Sequence, residues 1–91
     1  MVSPKFKIPS KYLYKNPLAV VEWEFHVNNP NAATLNLTIN ENTVQVGDTS
    51  RFTRVVGLTD QLYVEAGKTN VYVFRGDMQF KVLTYSLAYV Y

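Results

Sequence analysis

The sequence predicts an all-β fold: a small antiparallel β-sandwich, immunoglobulin-like or jelly-roll-like, of seven to eight strands behind an extended N-terminal arm. Three observations carry that expectation. From Leu18 onward apolar residues recur with period two, the alternation of a half-buried strand. Clusters of Gly, Asn and Asp punctuate the chain at close spacing, as turns between short strands do. No stretch places apolar residues at the spacing of a helix face.

The arm comes first. Residues 1–17 hold Pro4, Pro9 and Pro17, and proline fixes φ and removes a backbone donor, which disfavours a helix or a central strand. Lys5, Lys7, Lys11 and Lys15 make residues 1–15 strongly basic, whereas residues 16–91 carry seven acidic and five basic side chains. Phe6, Ile8, Tyr12, Leu13 and Tyr14 lie between the lysines, so the arm is expected to dock on a surface. Residues 18–91 form the β domain.

Its first strand spans 19–27, with Ala19, Val21, Trp23, Phe25 and Val27 facing inward and Val20, Glu22, Glu24 and His26 outward. Residues 28–31 turn the chain at Pro30. Leu35, Leu37 and Ile39 mark a second strand, and Val44 and Val46 a third, stopped by Gly47-Asp48. A fourth strand covers 50–56, with Phe52 and Val56 on one face and Arg51, Thr53 and Val55 on the other. Leu62 and Val64 mark a fifth, and 71–74 a sixth. Gly76-Asp77 reads as a two-residue type II′ hairpin loop, with glycine where that turn needs it. Residues 78–91 form the last strand, long enough to bend near Thr84 or Ser86.

That turn sets a register. Arg75 faces Met78, Phe74 faces Gln79, Val73 faces Phe80, Tyr72 faces Lys81 and Val71 faces Val82. The core face is then Val71, Val73, Met78, Phe80 and Val82, joined by Trp23 and Phe25. The opposite face carries Tyr72, Phe74, Gln79, Lys81, Leu83, Tyr85, Leu87, Tyr89 and Tyr91. A solvent face of an antiparallel sheet is ordinarily polar, and this one is not. An interface is therefore expected over Tyr72, Phe74, Leu83, Tyr85, Leu87, Tyr89 and Tyr91, together with Phe6, Ile8, Tyr12 and Tyr14 of the arm.

Composition narrows the chemistry. The chain has 91 residues, no cysteine, one histidine and a net charge of +2, with 47% hydrophobic residues and seven tyrosines. Without cysteine there is no disulfide or thiolate, and one histidine cannot build a multi-histidine metal cage. The apolar fraction is too high for a disordered chain. No apolar run approaches the length of a membrane span, and no apolar core follows the N-terminal lysines as a secretory signal would require.

Candidate sites are few. Glu22, Glu24 and His26 project from one strand face at steps of about 6.8 Å, too long for three ligands to converge on one ion, and they read as a polar strand face. Arg75-Gly76-Asp77 spells an integrin-recognition tripeptide at the expected hairpin tip, where backbone geometry alone accounts for Gly-Asp. Asn36-Leu37-Thr38 is a glycosylation sequon inside an expected strand. No serine stands in a glycine-flanked elbow, and the four glycines are isolated at turns rather than gathered in a phosphate loop. No catalytic residue, cofactor or metal is expected.

The expected function is non-enzymatic: a structural assembly protein docking through its arm and its tyrosine-rich sheet face. A basic arm reaching from a β domain onto neighbouring subunits resembles those of viral coat and virion accessory proteins. The expected setting is thus a virion, as a minor capsid, cement or tail-associated component, with the extracellular surface as the alternative. The expected partner is protein, in a homo-oligomer or larger assembly, and no membrane is expected. One alternative is a carbohydrate-binding or adhesion module, with Tyr72, Phe74, Tyr85 and Tyr89 stacking on sugar rings and Gln79 and Lys81 adding polar contacts. Another is single-stranded nucleic-acid binding through Lys5, Lys7, Lys11 and Lys15.

Overall fold

The protein is described by a computed structural model covering residues 6–8, 20–46 and 50–91. The described residues contain strands and turns and no helix. They run β1 (Phe6–Ile8), β2 (Val20–Asn28), β3 (Leu35–Asn36), β4 (Val44–Val46), β5 (Ser50–Arg51), β6 (Arg54–Gly57), β7 (Tyr63–Val64), β8 (Thr69–Asp77) and β9 (Val82–Val90). The main sheet has the order β2-β8-β9-β6. A two-stranded pair, β3-β7, and a group ordered β1-β4-β5 accompany it.

The sheet is mixed rather than antiparallel as expected. β2, β8 and β9 alternate in direction, but β6 runs parallel to β9, pairing Arg54 with Val82 and Gly57 with Tyr85. The β8–β9 hairpin lays β9 beside β6, and β6 happens to run the same way. β1 also pairs in parallel, with Phe6 opposite Val44 and Ile8 opposite Val46. This piece of the arm therefore joins its own domain.

The hairpin register differs from the sequence expectation. β8 continues through Gly76 and Asp77, and the loop is residues 78–81, so that Asp77 pairs with Val82 and Phe74 with Tyr85. Side-chain chemistry explains the longer loop. Asp77 Oδ1 accepts hydrogen bonds from the backbone N–H groups of Gln79 and Phe80, both at 3.1 Å. An aspartate bonding its own backbone two residues on is a turn-former in its own right. Lys81 closes the loop at φ 58°, the left-handed region. Its carbonyl then accepts from Thr53 N–H at 2.9 Å, which ties β6 to the hairpin.

Gly76 consequently sits inside a strand, not at a turn. A Cβ there would lie 3.0 Å from the Phe52 ring, so the missing side chain makes room for Phe52. Gly57 does the same for Tyr85, whose ring carbon Cζ would be 2.7 Å from an added Cβ.

The shift leaves alternation parity intact, and the face of the hairpin that turns inside is the opposite of the one expected. The core is one cluster: Val21 and Val27 of β2, Tyr72 and Phe74 of β8, and Leu83 and Tyr85 of β9, against Leu37, Ile39, Val44, Phe52, Val64 and Met78. Trp23, Phe25 and Leu87 pack on it half-buried. Tyr72, Phe74 and Leu83 are wholly buried, and Tyr85 nearly so. Their expected placement on an uncovered face is corrected, because β2 pairs Trp23 with Phe74 and Phe25 with Tyr72, so all four share one side. Phe80, expected in the core, is 66% exposed on the loop, and Val73 and Val82 are only half-buried on the other face.

Phe74 is the hub. The Trp23 ring meets it edge-on at 5.4 Å, Phe25 stacks on it at 6.0 Å, and Tyr85 lies at 6.0 Å. Such pairs add to what area burial alone contributes. Phe74→Ala is expected to cost about 3–5 kcal/mol, read as a lower urea midpoint. A loss below about 1 kcal/mol would remove Phe74 from this role. Lys81→Gly is expected to be neutral or to stabilise by up to about 1 kcal/mol, because the left-handed backbone strains any other residue. Lys81→Val is expected to destabilise, and equal melting temperatures for the two variants would contradict the strain.

Candidate functional site

The second face of the β2-β8-β9-β6 sheet is the candidate site. Its side chains fall in rows set by the pairing: Val20, Asp77, Val82 and Arg54; then Glu22, Arg75, Thr84 and Val56; then Glu24, Val73 and Ser86. Most are exposed or half-buried. Two shallow grooves cross it. One, of about 340 Å³, is lined by Val20, Arg75, Asp77, Phe80, Val82 and Thr84. The other, of about 170 Å³, runs between Glu22, Leu58, Val73, Arg75 and Ser86. Arg75 borders both and stands 3.6 Å from Glu22, an exposed pair that contributes little to stability.

A β-bulge extends this face at its far end. Tyr72 pairs with Leu87, but Val71 pairs with Tyr89, so Ala88 is one extra residue on β9. An extra residue reverses the alternation. Tyr85 and Leu87 point into the core, whereas Tyr89 and Tyr91 emerge on the second face. The expected single tyrosine series is thus divided. Tyr91 reaches His26: its hydroxyl is 3.2 Å from Nδ1, while Nε2 is 3.1 Å from Glu24 Oε2. The Tyr89 and Tyr91 rings are 6.1 Å apart. His26 and Tyr89 flank Val71 as its pairing partners, and Val71 is fully buried although it sits on this face.

Carboxylate, imidazole and phenol in series form the kind of relay that activates nucleophiles. Here all three are in contact with bulk water, and neither groove includes them. Glu22 is turned toward Arg75 rather than toward His26. No group of three or more potential metal ligands converges among the described residues. The Arg75-Gly76-Asp77 tripeptide lies in β8 with Gly76 buried, so it is not displayed at a hairpin tip as expected.

The expected interface residues therefore separate. Tyr89 and Tyr91 are exposed on the second face, Leu87 is half-buried, and Tyr72, Phe74, Leu83 and Tyr85 are interior. Phe6 and Ile8 lie in β1. Tyr12, Tyr14, Lys5, Lys11 and Lys15 lie outside the described residues. Arg54, Leu58, Arg75 and Phe80 belong to the candidate face and were not expected there, whereas Val20 was expected outward beside Glu22. Asp77 followed by three non-glycine residues was the available signal, since an Asx turn lengthens the loop and releases Phe80.

Buried polar partners satisfy the hydroxyl of the interior Tyr72. The Tyr72 hydroxyl donates to the Gln61 carbonyl at 2.6 Å and accepts from Asn70 Nδ2 at 3.0 Å. Asn70 Nδ2 also donates to the Tyr63 carbonyl at 2.8 Å. Desolvation pushes the Tyr72 phenol above its usual 10.0, with the Asn70 hydrogen bond acting the other way, and desolvation also raises Tyr85.

No protein-family model matches the sequence, and no curated protein or solved structure matches it either.

The raised tyrosine pKa values give a pH dependence. Above pH 10 the unfolded chain loses these protons before the folded one, so stability is complete below that pH and declines as pH rises through the folded values. Tyr72→Phe is expected to cost about 1–2 kcal/mol near neutrality, by leaving the Gln61 carbonyl without its donor. That deficit should shrink between about pH 8 and about pH 11 in urea titrations, since the variant lacks one group that titrates. A deficit unchanged with pH would contradict the assignment.

Proposed function

We propose that this chain is a non-enzymatic assembly protein that contacts its neighbours through the second face of its main sheet. One observation carries the reading: large apolar side chains stand in water on a face where a free sheet would carry polar ones. Leu58 is 69%, Phe80 66% and Tyr91 62% exposed, with Val20 and Tyr89 about half exposed. Apolar side chains gathered on one face and rimmed by charge mark interaction surfaces. The domain is best read as a sandwich-like body, with β3, β4, β7 and the segments between them supplying the residues that close the core.

The non-enzymatic reading is supported by the position of the Glu24–His26–Tyr91 chain, outside both grooves described above. A particle remains the proposed setting, as a capsid, cement or tail-associated component. Its support is the alternation of lysines with Phe6, Ile8, Tyr12 and Tyr14 ahead of the domain. A carbohydrate-binding reading loses most of its platform, because Tyr72, Phe74 and Tyr85 are interior.

Light scattering across a dilution series tests the proposal. The expected mass at high concentration exceeds the 10.4 kDa of one chain. Phe80→Asp should return it to a single chain with its melting temperature unchanged. A single-chain mass at every concentration would overturn the reading.

A further inference from the structure

We infer that the occupant of the second sheet face is a second copy of this chain, related by a two-fold axis running along the strands. The inference rests on the assembly reading above and adds the partner and its orientation. Its basis is the way charge is laid out across the sheet. The β2 edge presents Glu22 and Glu24, both exposed, while the β6 edge presents Arg54, also exposed. One edge of the same face is acidic and the opposite edge is basic.

A two-fold axis can lie in the contact plane in two simple ways. An axis across the strands sets β2 on β2 of the second copy, which brings the Glu22–Glu24 stretch against the same stretch when it crosses there, and leaves Arg54 over the β6 edge rather than over the acidic one. An axis along the strands sets β2 on β6 of the second copy. The rows then coincide, and Arg54 of one copy lies over Val20 and beside Asp77 and Glu22 of the other, in both directions at once. The next residue along a strand face is only about 6.8 Å away, within the reach of an arginine side chain. Like charges directly opposed are costly at an interface, and complementary ones fix its register. Charge therefore selects the axis along the strands.

The same operation fits the apolar residues. The β8–β9 loop lies near the middle of the sheet's width, so the axis brings Phe80 of one copy against Phe80 of the other. Arg75, already 3.6 Å from Glu22, would lie near the axis with Thr84 of the second copy across from it. The area is adequate. Four strands at the usual spacing give a face of about 500 Å² per copy, or about 1,000 Å² in all. That is about the size a specific interface must clear.

A charge-exchange experiment tests the geometry on the full chain. Glu22→Lys and Arg54→Glu are made separately, and each is checked for an unchanged melting temperature. Sedimentation equilibrium of the parent chain is expected to show a closed two-copy species. Each variant alone should dimerise at least about tenfold more weakly, because each places like charges opposite one another. The two variants mixed should restore a mixed dimer to within about threefold of the parent, since both contacts are then opposite in sign. Association that ignores both substitutions and their mixing would overturn this arrangement while leaving the assembly reading intact. Growth beyond two copies would overturn it likewise. A single-chain mass throughout would overturn both.

Discussion

The packing of three aromatic rings around Phe74 is the constraint on which the other features rest. Trp23 and Phe25 come from β2, Phe74 from β8 and Tyr85 from β9, so one cluster joins three adjacent strands. Once those rings share a side, the partners of each strand are fixed by alternation. Val21, Gly76 and Leu83 follow them inward, and Glu22, Arg75 and Thr84 are carried outward. The exposed face is thus a consequence of where the aromatics meet, not a separate design.

The β3–β7 pair is secured by amides more than by its strand ladder. β3 and β7 share only two residue pairs. Asn29, wholly buried, donates through Nδ2 to the Ala33 and Val64 carbonyls, both at 2.8 Å. Asn70 and Tyr72 satisfy the Tyr63 and Gln61 carbonyls in the same stretch. A short strand pair leaves many backbone groups without ladder partners, and buried ones must be met some other way. These side chains meet them, which holds Leu62 and Val64 against the core.

The all-β character and the inward face of β2 were legible in the sequence, the latter because that strand places Trp and Phe against Glu and His. The C-terminal hairpin was harder for a physical reason. Both of its faces are apolar, so alternation gave parity without saying which side was interior. The cross-strand partner decided it, and pairing of β2 with β8 is a long-range contact that no local pattern encodes. The loop was misjudged because Gly76-Asp77 satisfies a two-residue turn, while the competing Asp77 hydrogen bonds span three residues. The candidate face was visible only as the outward Val20, Glu22, Glu24 and His26. Arg54, Leu58 and Phe80 reach it through the parallel β6 strand and the longer loop, neither of which leaves a periodic signal.

The bulge at Ala88 has a consequence for how the chain can vary. It divides one strand into two independent programmes: up to Leu87 the residues answer to the interior, and after it Tyr89 and Tyr91 answer to whatever lies outside. Substitutions at those last tyrosines can therefore change the exposed face without touching the Phe74 cluster. Removing Ala88 would make β9 regular and still leave Leu87 inward and Tyr89 and Tyr91 outward, because consecutive residues of a regular strand point to opposite faces.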